Sequence, residues 1–152
     1  MSSEKRFNQP MSFFFLTFCS FRIIIHKVRI YDMQPNSIIT LITDFGNTDD
    51  YVGVMKGVML SVNPDLRFTD ITHSIPPQDI KKAAFILYKA YKYFPEGTVH
   101  LVVVDPGVGS KRNPIIVETE KYFFVAPDNG VLSLVLTDKS TAYKITNGKP
   151  ES

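Results

Sequence analysis

Apolar, β-branched runs that end in or near an acid recur along this chain. The clearest is His100-Leu-Val-Val-Val-Asp105, whose valines suit a strand buried on both faces. Asp105, Pro106, Gly107 and Gly109 stop that strand and open a tight loop. Ile38–Thr43 reads the same way and runs into Asp44-Phe45-Gly46, while Arg67–Thr72 carries Asp70 near its end and His73 just beyond. Between these runs the hydrophobic period lengthens from two to about 3.6 residues. Val52, Met55, Met59 and Val62 fall on one helical stripe. Asn47-Thr-Asp-Asp50 supplies N-cap chemistry for that helix, and Asn63-Pro64 ends it. Ile80, Ala83, Ala84, Leu87, Tyr91 and Phe94 form a second stripe. Pro76-Pro77 opens it, Asp79 lies in or near its first turn, and Pro95-Glu-Gly97 closes it. This β-α-β-α-β order predicts parallel strands joined by right-handed crossovers.

After Gly109 the pattern changes. Ile115–Val117 and Tyr122–Ala126 read as two strands joined by a hairpin through Glu118-Thr-Glu-Lys121. Pro127-Asp-Asn-Gly130 is a turn, an apolar stretch runs from Val131 to Leu136, and Ala142–Thr146 is a last strand. The fold class expected is α/β: a mostly parallel, Rossmann-like sheet with flanking helices plus a C-terminal β-hairpin. Asp44, Asp70 and Asp105 are then expected to gather at the carboxyl edge of three successive strands. Open α/β sheets bind ligands at that edge. Asp49 and Asp50 reach toward it too, although helix capping accounts for at least one of them.

Length and composition narrow the picture. A chain of 152 residues is one domain, and a net charge of +2 with scattered Lys and Arg gives no nucleic-acid footprint. Cys19 is the single cysteine, which excludes a disulfide framework or a multi-cysteine metal site and makes the cytoplasm the default compartment. Near the start, Met11–Phe21 is apolar but Arg22 closes it, well short of the roughly twenty residues that span a bilayer. No membrane partner is expected. Residues 1–32 read as an appended or misassigned leader, 33–147 as an incomplete α/β domain, and 148–152 as a truncated linker.

A glycine loop after a strand invites a phosphate-binding reading. Gly107-Val-Gly109-Ser-Lys-Arg112 lacks both the Lys-Ser or Lys-Thr pair of a Walker loop and the third glycine of a dinucleotide fingerprint. The next segment, Asn113–Thr119, reads as a strand, so no helix N-terminus stands there to hold a phosphate. Asp105 and Arg112 share the loop, and a guanidinium can grip a carboxylate with two hydrogen bonds. Two readings stay open: a loop staple, or a fixed anion that orients a nucleophile. An acid so paired positions water better than it deprotonates it.

Six motifs occur in order: Thr43-Asp-Phe-Gly46, the helix start from Asp49 to Lys56, Asp70-Ile-Thr-His73, Phe94–His100, Val104–Gly109 with Arg112, and Ala126–Gly130. Together they resemble the S-adenosyl-L-methionine (SAM) hydroxide adenosyltransferases, the SAM hydrolases, relatives of the fluorinating and chlorinating SAM enzymes. The resemblance runs from about Ile38 to about Thr146. It implies attack of water or hydroxide on the ribose C5′ carbon of SAM, giving adenosine and L-methionine, with SAM as substrate and no cofactor. Asp105 and Arg112 match two members of the family's Asp-Arg-His water-activating triad, and Asp44 matches the acid that holds the ribose hydroxyls. Asp49 lies where the halogenases place an acid near the methionine end, while those enzymes carry Tyr where this chain has Asp105. The triad histidine and a C-terminal β domain belong to family segments outside these 152 residues. A fragment of a homotrimeric enzyme is therefore expected. His73 and His100 do not replace the missing histidine; His100 is expected in the core and His73 in a structural or supporting place. Two rivals remain, a metal-dependent phosphohydrolase built on the acidic edge and a non-catalytic adenosine- or SAM-binding remnant.

Overall fold

The computed structural model describes residues 33–106 and 114–145. The expected leader, Arg112 and the expected linker lie outside these residues. Among the described residues, six strands form one mixed sheet in the order β2-β1-β3-β5-β4-β6. In chain order these are β1 (Ile38–Thr43), β2 (Arg67–Thr72), β3 (Val99–Val103), β4 (Pro114–Glu118), β5 (Phe123–Pro127) and β6 (Thr141–Lys144). Helix α1 (Tyr51–Val62) links β1 to β2; α2 (Ile80–Ala90), extended by a 3-10 turn over Tyr91–Tyr93, links β2 to β3.

The apolar strands sort by the two-residue period of the pleat. Ile39, Leu41, Val99, Leu101, Val103, Phe123 and Val125 join Met55 and Met59 of α1 in one core. Ile42, Val102, Val104, Phe124 and Ala126 join Ala83, Ala84 and Leu87 of α2 in the other. The helices thus cover opposite faces, which is why β3 is buried throughout and β1 at every position after Ile38. Residues on β1 pair in parallel with β2 on one side and with β3 on the other. Chain direction across the sheet therefore reverses between β1 and β3, and at such a reversal the connections leave to opposite faces and open a crevice at the strands' carboxyl ends.

Several expectations are refined. The stripe on α1 is narrower than its spacing predicts, with Met55 and Met59 buried but Val62 39% exposed. Asp50 is its N-cap residue, yet its side chain makes no capping hydrogen bond. Asp79 does cap α2, accepting the Lys82 N–H at 2.9 Å. The expected hairpin pairs β4 with β5 antiparallel, but its second strand is the inner one and extends the parallel set beside β3. His100 is fully buried in β3, 2.7 Å from the Thr40 hydroxyl through Nδ1 and stacked on Phe124. Burial pushes its pKa down to about 4, so it stays neutral at physiological pH.

Candidate active site

Asp44 is the first residue past β1, and Asp105 is the second past β3. Because Thr43 pairs with Val103, the two acids leave neighbouring strands at nearly the same level. Asp105 is buried and Asp44 half-buried. Burial raises the Asp44 pKa above the ordinary carboxylate value; hydrogen bonds from the Gln78 and Asp44 main chain oppose the rise, and the charge of Asp105 adds to it. The chain has thus placed two negative charges within mutual reach at the reversal point of the sheet. Such a pair holds ligand hydroxyl donors well, since each O–H relieves part of the repulsion.

Each acid is held through backbone contacts. Asp44 Oδ2 accepts the Gln78 N–H at 2.9 Å. Gln78 adopts φ 65°, in the left-handed region, so this loop after Pro76-Pro77 holds an uncommon conformation to present its amide. Below Asp105, Asn129 donates its side-chain amide to the Val104 carbonyl at 2.9 Å while its Oδ1 accepts from Val131 N–H. The Pro127–Gly130 turn therefore fastens the end of β3 as well as ending β5. Neither Gln78 nor Asn129 is singled out by its residue type. The turn signal at 127–130 locates Asn129 without revealing its partner.

Asp70 does not join the other acids. It lies inside β2, paired with Leu41 at an irregularity in the ladder, rather than past the strand end. Lys56 Nζ sits 2.6 Å from Asp70 Oδ2, and His73 Nε2 sits 3.1 Å from Oδ1 at a distance typical of an ion pair but without hydrogen-bond alignment. Burial pushes the Asp70 pKa up, but Lys56 and then His73 outweigh it, and the net shift is downward. Two carboxylates, Asp44 and Asp105, thus occupy the edge where three were expected. Asp49 is exposed in the bend before α1 and makes no hydrogen bond or ion pair among the described residues.

Among the described residues, no three His, Cys, Asp or Glu side chains gather where they could hold a metal ion. A separate cleft of about 320 Å3, lined in part by Tyr91, Lys92, Tyr122 and Thr137, lies at the opposite end of the sheet. Tyr122 immediately precedes Phe123, which pairs with Val99 at the start of β3, so this cleft is remote from Asp105.

Residues 39–152 match the SAM hydroxide adenosyltransferase N-terminal domain. The chain belongs to that family. It is 47% identical over 103 residues to the (R)-S-adenosyl-L-methionine hydrolase of Methanocaldococcus jannaschii, a match covering 64% of this chain and 39% of that one. Identity to the Thermus thermophilus (R)-S-adenosyl-L-methionine hydrolase is 42%, over 67% of this chain and 38% of the relative. The fluorinase of an Actinoplanes species is 29% identical, over 75% of this chain and 47% of its own length. A crystal structure of an uncharacterized conserved protein from Thermotoga maritima superposes with a TM-score of 0.68 at 44% identity, covering 72% of this chain and 43% of that one. This SAM hydroxide adenosyltransferase family member thus spans less than half the length of these relatives. Among the described residues, no helix is long and apolar enough to cross a membrane.

Proposed function

We propose that this chain is the Rossmann-like N-terminal part of a cytoplasmic enzyme that hydrolyses SAM to adenosine and L-methionine. The observation that carries the reading is the pairing of Asp44 and Asp105 across the β1–β3 reversal, each held in place through its neighbouring backbone. In this reading the half-buried Asp44 accepts hydrogen bonds from the two vicinal ribose hydroxyls. Their donors replace water and relieve the repulsion from Asp105. Asp105, aided by Arg112, orients a water molecule toward C5′. The water oxygen bonds to C5′, the C5′–S bond breaks with its electron pair passing to sulfur, and one proton leaves. The positive charge that the sulfonium loses leaves with that proton, which passes to bulk water, and methionine departs as a neutral thioether, so the step needs no cofactor. Asp49 sits near the methionine end, on the bend that leads into α1.

The relatives with higher identity are named as hydrolases and the fluorinase is more distant, which supports water over halide. The chain spans 38 to 47% of these relatives, and this reading gives the rest of their length the triad histidine, part of the SAM pocket and the contacts of a homotrimer. The test is adenosine release from SAM, followed by chromatography, with that region supplied in trans. An Asp105→Asn variant is expected to lose most turnover and keep adenosine binding; undiminished turnover would overturn the role given to Asp105. Adenosine binding without any turnover would favour a binding remnant, for which the short span is the supporting observation. Chelator-sensitive phosphate release would favour the phosphohydrolase rival.

A further inference from the structure

His73 is buried, its side chain 4% exposed, although it sits one residue past an exposed edge strand. Its ring bridges two groups: Nδ1 is 2.8 Å from Thr43 Oγ1, and Nε2 is 3.1 Å from Asp70 Oδ1. A carboxylate on the Nε2 side favours the tautomer with its proton there. Nδ1 then accepts, and the Thr43 hydroxyl donates. The same hydroxyl oxygen accepts the Phe45 N–H at 3.3 Å. The main chain adds two ties: the His73 carbonyl accepts Gly46 N–H at 2.7 Å, and Thr43 accepts Ile75 N–H at 3.3 Å. By residue type this is a Thr-His-Asp constellation, but Thr43 is 0% exposed and cannot meet a substrate as a nucleophile. What the contacts enclose is the residue between Thr43 and Phe45.

We infer that His73 is a positioning residue for Asp44, locking the Thr43-Asp44-Phe45-Gly46 turn through the buried Thr43 hydroxyl so that the Asp44 carboxylate is presented in one orientation. The inference rests on the ribose-holding role proposed for Asp44 but makes its own demand on the geometry. If Nδ1 is removed, a fully buried hydroxyl loses its acceptor. Leaving such a group unpaired carries its whole desolvation cost. Thr43 then turns to another acceptor, the Phe45 N–H loses its oxygen, and the turn that aims Asp44 relaxes. Asp70 plays the lesser part: its carboxylate stands 3.1 Å from Nε2 and is itself shared with the partly exposed Lys56. Binding should therefore follow the Thr43 contact and not the Asp70 contact.

Two substitutions separate these contacts in the full chain. In His73→Asn the side-chain amide stands near the place of Nδ1 and can still meet Thr43, while the reach to Asp70 is lost. In His73→Gln the amide reaches toward Asp70 and leaves Thr43 without its partner. The readouts are adenosine affinity by calorimetry, the titration of the 13C-labelled Asp44 carboxyl by NMR, and the thermal midpoint. His73→Gln is expected to weaken adenosine binding about tenfold, the effect of losing one hydrogen bond to a charged group, and to move the Asp44 titration. His73→Asn should rescue both toward the wild type, even where its thermal midpoint falls as far. Thr43→Val, which keeps His73, should reproduce the His73→Gln result and replaces that variant if it fails to fold. Equal loss of binding in the Asn and Gln variants would overturn the inference, as would an Asp44 titration unmoved by both His73→Gln and Thr43→Val. If the wild-type chain binds no adenosine, the ribose reading falls, and the Asp44 titration still decides the positioning role.

Discussion

Asp44 and Asp105 leave adjacent parallel strands whose last residues, Thr43 and Val103, are paired, and the charge of Asp105 adds to the rise that burial produces in the Asp44 pKa. Two like charges brought together destabilise a fold, so the arrangement has a consequence for stability. A carboxyl whose folded pKa lies above its unfolded value binds more protons in the native state. Its contribution is favourable below the unfolded value, 3.8 for Asp44, and is lost as pH rises through the raised one. Asp44→Asn should therefore stabilise the chain at pH 7, by less than about 1 kcal/mol because the group is only half-buried. The gain should vanish in acid below the unfolded value. Urea denaturation at both pH values checks this. The same substitution should weaken adenosine binding, a loss at the site alongside a gain in the fold.

His100 gives the opposite slope. With its pKa pushed by burial from 6.5 to about 4, the unfolded chain binds the extra proton first as pH falls. About 3 kcal/mol of stability should disappear between those two values. Replacing His100 by Phe alone would strand the buried Thr40 hydroxyl, its partner at 2.7 Å. The double variant Thr40→Val with His100→Phe removes both polar groups among Tyr91, Phe94, Tyr122 and Phe124. Replacing both partners with apolar groups is close to neutral in such pairs. The double variant should match the wild type within about 1 kcal/mol at pH 7 and lose much less stability by pH 4.5. Thermal unfolding across the acid range measures it.

Asn129 reaches across 25 residues to hold the Val104 carbonyl. Asn129→Ala removes that donor and the acceptor of Val131 N–H, and leaves Val104, a 0% exposed residue, with a carbonyl short of one partner. The expected cost is about 1–3 kcal/mol, with a larger loss of turnover than of adenosine affinity, since the segment released carries Asp105 rather than Asp44. Equal losses in both would mean that the turn supports the whole edge.

The range of each interaction decides how much of this was legible in the sequence. The strands β1 and β3 and the helix α2 announce themselves through local period, and their acids are the first charges after apolar runs. Asp70 looked equivalent because composition marks the end of a run only loosely. Whether that acid passes the strand end or pairs inside it depends on the irregular register opposite Leu41 and Ile42, which is a property of two strands. The inner position of β5 also lay beyond local pattern: antiparallel pairing of β4 and β5 says nothing about which of them meets β3. The Asn129 contact with Val104 depends on that placement. Gln78 is the least legible, since its part is played by a main-chain amide turned outward by a left-handed φ that glutamine has no special tendency to adopt.

Two glycines make contrasting demands on the chain that holds these elements. Gly97 has φ +87°, and a Cβ built there would lie 2.7 Å from the Gln34 carbonyl oxygen and 3.3 Å from the Asn36 nitrogen. Both obstacles are backbone, and the Gly97 N–H and carbonyl are engaged by Lys121 and Asn36, so nothing nearby yields cheaply. Gly97→Ala should cost more than about 2 kcal/mol, combining a left-handed backbone with a steric clash. Gly57 lies in the middle of α1 with open space around its Cβ position. There the only term is the conformational freedom that glycine loses in a helix, so Gly57→Ala should add about 1 kcal/mol. The thermal midpoints of the two single variants should move in opposite directions from the wild type. A Gly97→Ala protein as stable as its parent would mean that the loop before β3 can rearrange without disturbing the strand that carries Asp105.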